Sequence, residues 1–261
     1  MKKYGEVIII KHDGRNSGKK EKKGVPPFFT VLVFLVFALF LQVAPSHSSR
    51  AADYLMELRV GLSLDGNHLE LSFGDDYCLY AGYGDECLPL SAGRYRLTNA
   101  GGEIEIYDPR GGNRLFWEGP LFLQPVGAVF EDCSFQLHNA LHGRGYRGAL
   151  EIISEGDGLL AVNILDLETY LRGVLPAEMP ALWGADGGRE ALKSQAVAAR
   201  TFALYYREAR RHSKYHLCDQ EHCQVYRGKG AENLYTDQAI KETGGEILTY
   251  GGQVIESFYH A

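Results

Sequence analysis

Positive charge is scarce in most of this chain. Residues 1–24 hold eight Lys or Arg against three acids, and of the 27 basic and 33 acidic residues in all, this leaves 19 basic against 30 acidic in the remainder. Such an acidic body lacks the electrostatic footprint of a nucleic-acid binder, so no nucleic-acid partner is expected. Internal repeats of fixed period are also missing, which argues against a solenoid. No helix of convincing amphipathic length occurs before residue 165, and residues 53–165 are left to antiparallel sheet. There are five cysteines, Cys78, Cys87, Cys133, Cys218 and Cys223. In an exported chain that odd count leaves at least one unpaired or metal-bound. A Cys78–Cys87 loop disulfide fits the spacing without being required by it.

What is present is enough apolar sequence, 45% of 261 residues, to bury a full core as one large domain or two small ones. The basic start leads into residues 28–44, FFTVLVFLVFALFLQVA, a run of 17 without charge ended by Pro45. It is slightly long for a signal-peptide core and slightly short for a spanning helix. Cleavage near residues 46–52 and retention as an anchor are both open. Lys19, Lys20, Lys22 and Lys23 favour a cytoplasmic N-terminus and an external body. The organisation is then a basic cytoplasmic tail at 1–24, a signal sequence or transmembrane anchor at 25–45, and a folded domain at 53–261.

Residues 55–63 and 69–73 read as strands joined by a hairpin turn at Asp65-Gly66-Asn67. Short strands continue at 95–97, 103–107 and 115–117 between Gly-rich turns, with weaker candidates at 121–125 and 130–137. Residues 146–153 and 159–164 form the clearest hairpin. Asp166 then caps a short helix that Pro176 should stop. A second helix spans about 188–210, with Leu192, Ala196, Ala199, Ala203 and Tyr206 in one stripe and Gln195 and Arg200 at its edges. A third helix at 233–243 precedes a hairpin of 246–250 with 253–259 across Gly251-Gly252. The expected fold is α+β, a mostly antiparallel β part followed by a helix-containing part.

Two features carry chemistry. Glu178 stands between Pro176 and Pro180 beside Met179, a framing that fixes an irregular backbone, as binding and catalytic loops often do; the plain alternative is a solvated loop carboxylate or a charge at a helix N-terminus. Residues 211–226, RHSKYHLCDQEHCQVY, concentrate His212, His216 and His222 with Cys218 and Cys223. His212, Cys218, His222 and Cys223 would give zinc a closed Cys2His2 site, structural because no position is left for water. His216 is a spare candidate, and a Cys218–Cys223 disulfide with solvated histidines is the competing reading.

These stretches together resemble the SpoIID/LytB family: LETYLRGVLPAEMP, EALKSQAVAARTFAL, HCQVYRG and a terminal FYHA stand in that family's order over residues 146–261. The resemblance implies an exported protein, membrane-anchored or secreted, acting on peptidoglycan glycan strands, with the membrane as a partner if the N-terminal segment is uncleaved. It implies a lytic transglycosylase in cell-wall remodelling or sporulation, cutting MurNAc-GlcNAc bonds of denuded strands with Glu178 as single acid/base. The alternative it implies is a non-catalytic wall-binding activator of an N-acetylmuramoyl-L-alanine amidase, with that amidase as partner. It also implies structural zinc on a His, Cys, His, Cys set that favours His212 over His216, and places Gln195, Arg200 and Tyr259 among substrate-binding candidates. Family members continue past this strand with a Ser and a Gly-Gly segment, so the expectation is a domain shortened at its C-terminal end.

Overall fold

The computed structural model describes residues 7–11, for which the backbone alone is considered, and 57–82, 87–126, 133–142, 145–209 and 212–259. The chain divides into two compact units, residues 1–12 with 57–261, and residues 13–56. The second unit, which contains the apolar run of 28–44, lies outside the described residues. Among the described residues no helix is long and apolar enough to cross a membrane.

The first unit is α+β. Its strands are β1 (Val7–Lys11), β2 (Glu57–Leu62), β3 (His68–Phe73), β4 (Tyr77–Ala81), β5 (Gly93–Ala100), β6 (Glu103–Tyr107), β7 (Arg114–Glu118), β8 (Leu121–Pro125), β9 (Phe135–Leu137), β10 (Gly145–Tyr146), β11 (Ala149–Glu155), β12 (Gly158–Asp166), β13 (Leu217–Cys218), β14 (Glu246–Tyr250) and β15 (Gln253–Val254). Among the described residues three helices, α1 (Leu167–Glu178), α2 (Arg189–Ala209) and α3 (Leu234–Glu242), all follow β12. Two six-stranded sheets have the orders β10-β9-β3-β5-β6-β7 and β13-β2-β12-β11-β8-β4. All their pairings are antiparallel except that of β13 with β2. A third, small sheet has the order β1-β14-β15, and its first strand is the isoleucine-rich backbone segment Val7–Lys11, which the sequence reading leaves in the basic tail.

The alternating pattern of β3, with Leu69, Leu71 and Phe73 buried, and of β6, with Ile104 and Ile106 buried, turns one face of the first sheet inward. Leu58, Val60, Leu150, Ile152 and Ala161 of the second sheet join the same core. The expected β2–β3 hairpin does not form. Both strands exist, but β2 pairs with β12 and β13 whereas β3 pairs with β5 and β9. The turn that should have closed them is tied elsewhere, because Asp65 donates its N–H to the Asn139 carbonyl at 2.7 Å. The β11–β12 hairpin forms as expected, running from Ala149↔Ile164 to Glu155↔Gly158. Tyr146, expected in the same strand as β11, instead pairs in β10 with β9. The change of sheet occurs at Gly148, where φ is +79° and a Cβ would stand 2.3 Å from the Ile164 carbonyl oxygen.

Cys78 and Cys87 form a disulfide, with Cα atoms 5.8 Å apart. The helices pack on the sheets through the predicted stripe: Leu192, Ala196, Ala199, Ala203 and Tyr206 are all buried. Three alanines there let α1 and α2 approach closely.

Candidate active site

Helix α1 places the central carboxylate. Asp166 caps it, its Oδ1 accepting the Thr169 N–H at 3.0 Å. Pro176 does not stop the helix. It sits inside the last turn, and the helix runs on to Glu178, with the Met179 N–H closing onto the Leu175 carbonyl at 3.0 Å. Only one intrahelical bond is lost to a proline this close to the end, and the break comes at Pro180 instead. Glu178 is therefore the final residue of a helix rather than a loop residue, and the negative end of the helix dipole disfavours its charge.

The His/Cys segment is pinned across the chain and delivers Val225 to that carboxylate. His216 donates its N–H to the Arg59 carbonyl at 2.8 Å and accepts the Arg59 N–H at Nδ1, 3.1 Å away. Asp219 accepts both the N–H and the hydroxyl of Ser63, at 2.9 and 2.7 Å. Arg227 then donates its N–H to the Gly173 carbonyl of α1 at 3.1 Å. Gly173 permits this approach, since a Cβ there would meet the Tyr226 ring at 2.5 Å. The result is a hydrogen bond of 3.0 Å from the Val225 N–H to Oε1 of Glu178.

Glu178 lines a cavity of about 210 Å³ with Phe202, Tyr206, Glu221, His222, Cys223, Phe258 and Tyr259. Desolvation by burial raises its pKa above the ordinary glutamate value, the Val225 N–H pulls the other way, and the Glu221 charge adds to the rise. The apolar surroundings come from Phe202, Tyr206 and Phe258. Trp183 does not line the cavity and is 46% exposed in a 3-10 turn (Ala181–Gly184).

Tyr259 joins the cavity and Arg200 and Gln195 do not. The Arg200 guanidinium is buried and bidentate on Glu168, at 2.7 Å to each oxygen, and also donates to the carbonyls of Glu246 and Ile240. It braces α2 against α1, α3 and β14. Gln195 is buried, and its Nε2 has no hydrogen-bond partner. Sequence reasoning missed Gln224 and Glu221. Gln224, 1% exposed, accepts from the Tyr170 hydroxyl at Oε1 and donates from Nε2 to the Ala199 carbonyl at 3.2 Å and to the Tyr259 hydroxyl at 2.7 Å. Burial raises the Tyr259 pKa well above the ordinary phenol value; the Gln224 hydrogen bond opposes the rise and the Glu178 charge adds to it.

The metal-binding candidates also converge. Ligand atoms of His212, His222 and Cys223 lie within 4.8 Å of one another. The Cys218 Sγ is 3.5 Å from Nε2 of His222 and accepts the Gln220 N–H at 3.4 Å, while the Cys223 Sγ accepts the Cys218 N–H at 3.3 Å. No disulfide joins the two sulfurs. His212 leaves a buried Nε2 without a partner, whereas His216 is engaged with Arg59. A hydrogen bond from the Cys218 thiol to its Cys223 neighbour, together with burial, holds that thiol far above its usual range, a pressure that a bound cation relieves. Two imidazoles and the Cys223 thiol share this space, with Cys218 outside that group but against His222, a donor set of the kind that suits zinc.

The SpoIID family model, described as stage II sporulation protein, matches residues 155–250, a span that includes Glu178 and all four His/Cys candidates. An uncharacterized protein of Brachyspira hyodysenteriae is 37% identical over 145 residues, 54% of this chain and 38% of that protein. The amidase enhancer of Bacillus subtilis is 30% identical over 218 residues, 83% of this chain and 26% of that protein. The stage II sporulation protein D of Bacillus amyloliquefaciens is 36% identical over 114 residues, 38% of this chain and 32% of that protein. The chain thus spans between 26% and 38% of the length of these relatives. No solved structure matches it. The family match covers the segment that holds Glu178 and the His/Cys candidates, and over residues 155–250 the chain belongs to the SpoIID/LytB family.

Proposed function

We propose that this protein is an exported, membrane-anchored or secreted peptidoglycan lytic transglycosylase, cleaving MurNAc-GlcNAc bonds in denuded glycan strands during cell-wall remodelling or sporulation. The observation that carries the reading is Glu178 itself, half-buried at a helix C-terminus on a cavity wall, with burial and Glu221 favouring its protonated form. A carboxylic acid held neutral is what protonation of a glycosidic oxygen requires.

In the proposed reaction, Glu178 gives its proton to the glycosidic oxygen as the bond from the muramic acid anomeric carbon breaks. The ionised carboxylate, held by the Val225 N–H, then takes the proton of the muramic acid 6-hydroxyl as that oxygen bonds to the anomeric carbon. The products are a 1,6-anhydro end and a free hydroxyl on the departing sugar, and Glu178 is protonated again. Hydrolytic glycosidases instead use a second carboxyl as nucleophile or water-activating base. Glu221 is the other carboxylate lining this cavity, and its charge adds to the burial that favours the protonated form of Glu178. Tyr259, Phe202, Tyr206 and Phe258 supply the surface against which a sugar ring stacks.

Zinc held by His212, Cys218, His222 and Cys223 would act as a structural cross-link and leave the chemistry to Glu178. The Cys78–Cys87 disulfide supports an oxidising, extracytoplasmic setting. The reading is tested by assaying Glu178→Gln on denuded glycan strands. A second reading, a wall-binding activator of an amidase partner, is favoured by the relative named amidase enhancer, whose match covers most of this chain. Wild-type protein that binds glycan without cleaving it, yet raises amidase turnover, would select the second.

A further inference from the structure

Strand β7 is an open edge. Among the described residues it closes one side of its sheet and is hydrogen-bonded to β6 alone, and all five of its residues, Arg114 to Glu118, are exposed. Leu115, Phe116 and Trp117 are 37%, 53% and 36% exposed. An edge carrying three large apolar side chains, with no proline in it and an unbroken register to β6, is a template for pairing with another strand.

The register identifies the partner. Trp117 and Leu115 lie opposite Ile104 and Ile106 on the core side of the sheet, whereas Arg114, Phe116 and Glu118 share the outer side with Tyr107, Glu105 and Glu103. Glu118 is thus placed directly opposite Glu103, a like-charge cross-strand pair, and among the described residues neither carboxylate has an ion-pair partner. At the other end Arg114 is paired with Glu105 and its side chain stays 58% exposed. The sequence Arg-Leu-Phe-Trp-Glu is self-complementary when run antiparallel to itself. Phe116 meets Phe116, Leu115 meets Trp117 on the core side, and each Arg114 meets the other strand's Glu118 on the outer side.

We propose that β7 joins two copies of this chain, antiparallel edge to edge, about a two-fold axis through Phe116. Such an interface is isologous and closes at a dimer. It extends the six-stranded sheet into a continuous one of twelve strands, covers the apolar edge, and brings an arginine to the two facing carboxylates at each end. The assembly does not depend on what the Glu178 cavity does.

The test is sedimentation equilibrium of the full chain in a mild detergent, for the wild type, Arg114→Glu, Glu118→Arg and the double variant. The wild type is expected to dimerise. Each single reversal should weaken the dimer by about tenfold or more, and the double variant, which restores the pairing with the charges exchanged, should recover it. Retained circular dichroism shows that the variants fold. A wild-type monomer at every concentration overturns the proposal, as does a dimer indifferent to the charge reversals. A monomer that binds anionic lipid vesicles through Phe116 and Trp117 also overturns it, and assigns the edge to a lipid surface.

Discussion

The backbone N–H of Val225 meets Oε1 of Glu178 at 3.0 Å, so the last residue of the first helix is held by the residue two places beyond Cys223. This contact links the His/Cys segment to the proposed acid. A displacement of the segment would reach the carboxylate through one peptide unit.

The pH dependence follows from the direction of the Glu178 shift. Its pKa is raised by burial first and by Glu221 second, and the acid form is the one that begins the reaction. Activity is therefore present below the Glu178 pKa and falls as pH rises through it. Glu221→Gln removes a negative charge, lowers that pKa, and should move the alkaline limb of the pH–rate profile to lower pH while the enzyme still cleaves at acid pH. A limb that stays in place would show that Glu221 does not act on Glu178.

Gln224 uses its whole amide, and Val225, the next residue, holds Glu178. Gln224→Leu leaves the Tyr170 hydroxyl without its acceptor and the Tyr259 hydroxyl without its donor. A loss of about 1–3 kcal/mol is expected in urea unfolding. Weaker glycan binding should accompany it, because Tyr259 is no longer oriented. Unchanged stability and binding would contradict the bridging role.

Arg200 belongs to the scaffold. Glu168→Gln leaves its buried guanidinium without a carboxylate and should cost about 1–3 kcal/mol of stability, since the Glu168 side chain is 40% exposed. In protein that remains folded, KM for glycan should be unchanged. A raised KM at wild-type stability would return Arg200 to the substrate site.

The zinc proposal is read without any activity assay. Wild-type protein should purify with one equivalent of zinc, and chelation should lower its unfolding temperature. Cys218→Ser protein should lose the metal. Stoichiometric zinc retained in Cys218→Ser would refute the ligand set.

Much of this was legible in the sequence because it depends on local pattern. The alternation in residues 103–107 and the alanine stripe of residues 192–206 give β6 and α2 nearly as they are. Pairing is a different matter: nothing local says that residues 57–62 seek β12 and β13 and not β3, since that choice is made by the core between the two sheets. Pro176 misled because its effect depends on how many helical bonds follow it, here almost none. Glu178, Tyr259 and the His/Cys cluster stood out by residue type or by resemblance. Gln224 and Glu221 did not, because a buried glutamine and an exposed one are written alike, and a carboxylate in an acidic chain has no mark until the fold brings it to the cavity. Arg200 stood out for a role that its contacts with Glu168 do not support.

The central claim is tested most directly by Glu178→Gln and wild-type protein incubated with denuded glycan strands, with 1,6-anhydro ends counted by mass spectrometry. Glutamine keeps the size of the side chain and removes the transferable proton. A fall of about 10²–10⁴-fold in anhydro ends, with the fold and glycan binding intact, is the predicted result. Release by Glu178→Gln at the wild-type rate would contradict the account.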